Sequence, residues 1–97
     1  MIRNAFLKRV ESALETLDED IDRLAAKAEK AGQDARIRYD EEIAVLRMKR
    51  ESVGVEVQRL RNAGGASWGP LKSGVLEGTD DLKKAIGRAV ERLKKSA

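Results

Sequence analysis

The chain of 97 residues contains no cysteine and no histidine. Without cysteine it has neither a disulfide framework nor a thiolate nucleophile. Without histidine it lacks the commonest general base near neutral pH and the commonest zinc ligand. We therefore predict a protein that is not an enzyme, binds no cofactor and has no small-molecule substrate.

Large rings and long apolar runs are also scarce. The aromatic residues are Phe6, Tyr39 and Trp68 alone, and a compact globule of this size usually fills its centre with more of them. Most apolar residues are aliphatic and 38% of the chain is charged, which is typical of helices with a narrow apolar stripe. The first residues lack a signal-peptide core and no run approaches the ~20 apolar residues of a membrane span, so we expect a cytoplasmic protein.

The apolar residues recur at alternating spacings of three and four, the pattern of a coiled coil. The pattern continues through Gly32 with one extra residue, and the only proline is at position 70. It predicts one long helix over 4–62. The first part of the stripe is Leu7, Val10, Leu14, Leu17, Ile21, Leu24, Ala28 and Ala31, and the second part is Tyr39, Ile43, Leu46, Val53, Val57 and Leu60.

Gly32 leaves an alternative open. It could end a first helix, with Asp34 capping the next one, and the fold would then be a three-helix bundle broken at Gly32. A glycine tolerated inside one helix costs about 1 kcal/mol relative to alanine. The unbroken helical spacing through the glycine favours the single long helix.

The glycine-rich residues 63–67 predict a turn, followed by a second helix over 68–95. Gly78 and Thr79, which precede two aspartates, would suit an interruption of that helix near 78–79. The sequence therefore predicts one all-α domain over 1–97, a helical hairpin in which the second helix packs on the distal half of the first. The packing residues of the second helix are Trp68, Leu71, Val75, Leu82, Ile86 and Leu93.

The helix lengths predict an oligomer. At 1.5 Å per residue, a helix over 4–62 is about 88 Å long and one over 70–95 is about 39 Å long. The shorter helix cannot cover the stripe from Leu7 to Ala31, whose large aliphatic side chains each gain about 1.5–3 kcal/mol on burial. We expect this stripe to form the interface of a homo-oligomer, most simply a dimer.

The segment Trp-x-x-Leu-Lys-x-Gly-Val at 68–75 is the most specific motif of the chain. Together with Ala35-Arg36, Lys49-Arg50 and 82–85, it resembles a family of short bacterial coiled-coil proteins commonly labelled as stress-response or uncharacterised. The resemblance covers about the last two thirds of the chain. It implies a helical fold and an association with stress, and this chain departs from the family pattern at Gly69-Pro70.

A group of carboxylates has the spacing of a calcium-binding loop: Asp18, Asp20, Asp22 and Glu29. The sixth position of such a loop requires glycine, and here it is Arg23. The helical pattern would also spread these carboxylates around the helix axis. We therefore interpret them as a solvated acidic face and expect no metal site.

A row of basic residues, Arg47, Lys49, Arg50, Arg59 and Arg61, could contact phosphate groups. Glutamates are interleaved with them, which favours a solvated helix face. Arg50 differs because it lies on the apolar stripe, where a polar residue often sets the register and the oligomeric state.

The predicted function is self-association or protein interaction through coiled-coil helices, with a stress association. One alternative is binding to a lipid or granule surface through the basic amphipathic segment 79–95. Another is weak nucleic-acid binding, with Trp68 and Tyr39 as stacking platforms. Because both rings lie on apolar stripes, core packing is the favoured interpretation, and we expect neither a membrane nor a nucleic acid as the main partner.

Overall fold

The structure, a computed structural model, describes residues 2–96. It contains three α-helices in chain order, α1 (Ile2–Glu29), α2 (Gln33–Arg61) and α3 (Gly65–Ser96). No strand occurs in this range, which confirms the all-α prediction. The molecule measures 51 × 18 × 16 Å, so its long dimension is close to that of a single helix.

The long helix expected over 4–62 is wrong, because the chain turns back between α1 and α2. The backbone N–H groups of Lys30 and Ala31 donate to carbonyls three residues earlier, both at 3.1 Å, and Gly32 is extended at φ −61° and ψ 157°. The Arg36 N–H then donates to the Gly32 carbonyl at 2.8 Å, which opens α2. Reversal loses a few helical hydrogen bonds but lets α1 bury its stripe within the same chain, and this burial is the larger effect.

The three helices share one apolar core. The α1 residues that were assigned to an oligomer interface lie in it: the first seven are at most 7% exposed, and Ala31 is half-buried at the turn. The premise that this stripe has no cover within its own chain is therefore wrong. Self-association itself stays a prediction. The buried residues are Leu7, Val10, Leu14, Leu17, Ile21, Leu24, Ala28, Tyr39, Ile43, Leu46, Val53, Val57, Leu60, Val75, Leu82, Ala85, Ile86 and Ala89.

Side-chain pairs show the directions of the helices. Glu11 pairs with Arg61 and Asp22 with Arg47, so α2 runs antiparallel to α1. The Phe6 ring meets Trp68 near the start of α3, so α3 runs parallel to α1. An up-down-up order follows from the two short connections, which leave each helix next to its neighbour in sequence.

The third helix is continuous, so neither the turn extending to residue 67 nor the interruption near 78–79 occurs. The first turn forms on the Gly64 carbonyl, which accepts the N–H groups of Ser67 and Trp68 at 3.1 Å. Gly78 has a packing role: a Cβ there would lie 3.1 Å from Val53 Cγ2 on α2. The glycine is present because the helices approach closely, and the helix does not end there.

Candidate interaction surface

The second helix carries apolar side chains on two opposite faces. One face lies in the core, and the other is open to solvent. Of the large apolar side chains exposed within residues 2–96, four lie on α2; the two others, Ile2 and Leu76, lie on different helices. The four on α2 are Ile37, Val45, Met48 and Val55, exposed by 59%, 50%, 70% and 45%.

Three of these residues, together with Ala44, form one line along the helix, which we call the outer stripe: Ile37, Ala44, Met48 and Val55. Their spacings of seven, four and seven place them on one side of a helix with 3.6 residues per turn. Buried Leu46 and Val53 each precede an outer-stripe residue by two positions, which is about 200° around the axis. The outer stripe therefore points away from the core and is about 27 Å long at 1.5 Å per residue.

Two carboxylates interrupt this line. Glu41 and Glu51 continue the alternating spacing of three and four between the apolar residues, and both are exposed. Neither forms an ion pair with another part of the described chain. The exposed apolar residues favour contact with another helix, whereas the two carboxylates oppose it unless they meet an opposite charge.

Three acidic side chains of α1 pair with arginines of α2. The Arg50 Nε donates to Asp18 at 2.8 Å, Arg47 donates to Asp22 at 3.3 Å, and Arg61 donates to Glu11. These pairs lie along the α1–α2 seam and join the two antiparallel helices. Three residues of the basic row therefore lie beside carboxylates, which weakens any attraction to a polyanion.

The calcium-loop spacing does not bring its carboxylates together. Asp20 accepts from Arg23 within α1 at 2.8 Å, whereas Asp18 and Asp22 face α2. Glu29 is the last residue of α1. In residues 2–96 no group of three side chains could hold a metal ion.

Arg50 lies at the border of the core. Its side chain is 30% exposed, and its guanidinium comes within 3.1 Å of the place where a Cβ on Gly54 would lie. Arg50, which the sequence places on the apolar stripe, thus forms a half-buried ion pair with Asp18 between two helices of one chain. The pair joins α1 to α2 within the molecule.

Two of the three aromatic residues, Phe6 and Trp68, cluster with cations at the end of the molecule where α1 begins. The rings of Phe6 and Trp68 are 6.1 Å apart and nearly perpendicular at 74°. The Arg3 guanidinium lies 4.6 Å from the Trp68 ring centre, and the Lys72 ammonium lies 4.9 Å from that of Phe6. Trp68 and Leu71 are partly buried against the core, as is Leu93 at the opposite end of α3. The Arg3 guanidinium therefore covers a face of the Trp68 ring on which a base would have to stack.

The hydroxyl of Tyr39 donates to the Arg92 carbonyl at 2.9 Å, which joins α2 to the last turns of α3. Arg92 also pairs with Glu42 at 3.0 Å. Tyr39 is 7% exposed and belongs to the core.

On the outer face of α3, a hydrogen bond to Asp80 raises the pKa of Lys84.

The segment 79–95 has its apolar face covered. Leu82, Ile86 and Ala89 are buried against the other helices, which leaves mainly charged residues on the outside. Within the described residues, no helix has the length and apolar character needed to cross a membrane. Lipid binding through the apolar face of this segment would require α3 to leave the core.

Comparisons with protein-family models, with curated proteins and with solved structures found no significant match. The candidate surface therefore rests on geometry alone. The outer stripe was not predicted from the sequence, because the core pattern on the same helix is longer and has more large apolar residues. The signal that could have found it is the repeat of apolar residues at spacings of seven, four and seven.

Proposed function

We propose that the protein is a non-catalytic self-association module, in which the outer stripe of α2 packs against the same stripe of a second copy. The observation that carries the proposal is the exposed line of Ile37, Ala44, Met48 and Val55. Apolar surface of this kind, in a row along one helix, gains free energy when another helix covers it.

The spacing of the outer stripe is symmetric about position 46. In an antiparallel pair related by a two-fold axis at that position, Ile37 lies opposite Val55 of the second copy and Ala44 opposite its Met48. Each apolar residue then meets an apolar residue, as an isologous interface requires. A small residue facing a large one also lets the two helices approach closely.

The charges beside the stripe fit the same arrangement in part. Asp34 comes near Arg59 of the second copy and Glu41 near its Lys49, and none of these four forms an ion pair within the described chain. Glu51, however, comes beside Glu41 of the second copy. That opposition weakens the pair, because like charges across a helix interface repel.

The size of the surface sets the expected affinity. A line about 27 Å long on a single helix is smaller than a standard interface of about 800 Å² per partner. We therefore expect a weak dimer, with a Kd above about 1 µM.

Sedimentation equilibrium between about 5 and 500 µM tests this proposal through two variants with opposite effects. Met48→Glu places charges at the centre of the pair and should shift the protein to monomer, because a buried unpaired carboxylate is strongly disfavoured. Glu51→Lys should strengthen the dimer by about 1–2 kcal/mol over two symmetric contacts, because each lysine then faces Glu41 of the other copy. Only the antiparallel alignment predicts that gain.

Two exposed positions on α3 supply matched controls. Leu76→Glu introduces a carboxylate at a half-exposed leucine away from the outer stripe, and Glu77→Lys makes the same charge change as Glu51→Lys. Both should leave the dimer unchanged. A wild-type protein that stays monomeric at about 500 µM, or a dimer that Met48→Glu leaves intact, would rule the proposal out. The stress association implied by the family resemblance stays a prediction.

A further inference from the structure

The break between α1 and α2 has few of the features that normally end a helix. Gly32 occupies the N-cap position of α2 but has no side chain with which to cap it. No residue within 2–96 has a positive φ, so α1 also ends without the left-handed glycine that closes many helices. The break is therefore held mainly by the packing of the helices on either side.

The apolar spacing also continues across the break. Ala28, Ala31, Ala35 and Tyr39 are three to four positions apart, as they would be on one helix face. The connecting residues Lys30 and Ala31 are good helix formers. Gly32 is the only residue of the turn that opposes a helix, and by a modest amount.

We propose that the chain also forms a domain-swapped dimer, in which residues 30–32 become helical. α1 and α2 then form one helix over 2–61, about 90 Å long at 1.5 Å per residue. The α1 segment of each copy packs on α2 and α3 of the other copy. The occupant of the vacated α1 position is thus the α1 of a second identical chain.

The swap retains the core of the closed form, which is the monomer whose chain turns back at residues 30–32. Leu14 and Ile21 of one copy would meet the same residues that they meet now, contributed by the other copy, so burial and the seam ion pairs are unchanged. The two forms differ in the conformation at Gly32 and in the entropy of association. Where the two long helices cross, Ala28, Ala31 and Ala35 present only methyl groups, so no large side chain blocks their approach.

The other connection is less suited to such a change. Its non-helical residues 62–64 include Asn62 and Gly64, which both have low helix propensity, whereas Gly32 is the only such residue at 30–32. The swap is therefore expected at the α1–α2 connection.

Two substitutions at Gly32 separate the forms, and both suit the closed one. The φ of −61° is compatible with alanine and with proline, and no atom lies within 4 Å of the added Cβ. Gly32→Ala favours the helical connection and should lower the dimer dissociation constant on the order of 30-fold over two connections. Gly32→Pro disfavours a helix interior and should remove the swapped dimer, so that any dimer left in sedimentation equilibrium is the outer-stripe one.

Distances between spin labels distinguish a swapped dimer from other dimers. The chain has no cysteine, so Ser12→Cys and Gln58→Cys introduce two label sites on exposed positions of α1 and α2. In the closed form the labels are within roughly 20 Å, because the helices are packed side by side. In a swapped dimer made with excess unlabelled chain, they are about 70 Å apart along one helix.

The inference is independent of the outer-stripe proposal, and the same samples separate the two. A dimer through the outer stripe keeps the short label distance and is lost in Met48→Glu, whereas a swapped dimer has the long distance and survives that substitution. Gly87→Ala, which adds a methyl group in open space within α3, is the matched control and should not change the dimer fraction. A Gly32→Ala protein that remains monomeric at about 500 µM, or one whose dimer shows only the short distance, overturns the inference.

Discussion

Two glycines of α3 provide a direct test of the close contact between α2 and α3. A Cβ added at Gly78 would lie 3.1 Å from Val53 Cγ2 and 3.8 Å from Glu56 Oε2. A Cβ added at Gly87 would meet nothing within 4 Å. The same substitution, glycine to alanine within one helix, is therefore made once against a packed surface and once in solvent.

The two substitutions are expected to change the free energy of unfolding differently. At both positions, alanine improves the helix by about 1 kcal/mol. At Gly78 this gain is offset by about 1–3 kcal/mol of overpacking, because Val53 is only 3% exposed and cannot move aside freely. We expect Gly87→Ala to stabilise the protein by about 1 kcal/mol and Gly78→Ala to be neutral or destabilising by up to about 2 kcal/mol.

Thermal and urea unfolding followed by circular dichroism measure both changes. A difference of 1 kcal/mol corresponds to about 4–8 °C in Tm for a domain of this size. The double variant Gly78→Ala with Val53→Ala should show a favourable coupling, because shortening the valine removes the clash. Equal stabilisation by the two glycine substitutions would show that α2 and α3 are farther apart than in this structure.

Four further substitutions test the core and the seam by urea unfolding. Thr79→Val should stabilise by about 1 kcal/mol, because the Thr79 hydroxyl oxygen is buried without a hydrogen-bond partner in the described part of the chain; a loss of stability would indicate a partner. Leu14→Ala should destabilise the monomer by about 2–5 kcal/mol, since Leu14 is 3% exposed within one chain; a loss of dimer without a loss of monomer stability would restore it to an interface. Tyr39→Phe should cost about 0.5–1.5 kcal/mol through the lost bond to the Arg92 carbonyl, and no change would mean that water replaces it. Arg50→Leu should change stability by at most about 1 kcal/mol, because its partly exposed pair with Asp18 is worth little; a larger change, or a new oligomer size, would show a role in setting register.

The identity of the core residues could be read from the sequence because local periodicity determines which face of a helix is apolar. The residues of the stripe from Leu7 to Ala28 are buried, as are those from Tyr39 to Leu60. The spacing of three and four does not depend on which chain or which helix covers the stripe. For the same reason it cannot say what the partner surface is.

The break at Gly32 could not be decided locally. A continuous helix and a turn differ at residues 30–32 by a few hydrogen bonds and by about 1 kcal/mol for the glycine. The turn forms in the closed chain because it brings α1 against α2 and α3, which buries seven apolar side chains of α1 within the molecule. That gain comes from contacts between residues distant in sequence, so no window of the sequence contains it.

The role of Gly78 in α3 also could not be decided from the local sequence. From the sequence, Gly78 followed by Thr79 indicates a new helix start, because glycine weakens a helix and threonine caps one. In the structure, a Cβ added at Gly78 would lie 3.1 Å from Val53 Cγ2, so the close approach of α2 requires a small residue there. The sequence by itself determined that the chain is helical and which side chains avoid water. Tertiary packing decided where the chain turns, which glycines are contacts, and that the outer stripe of α2 is left exposed, because each depends on which surfaces three helices can cover at once.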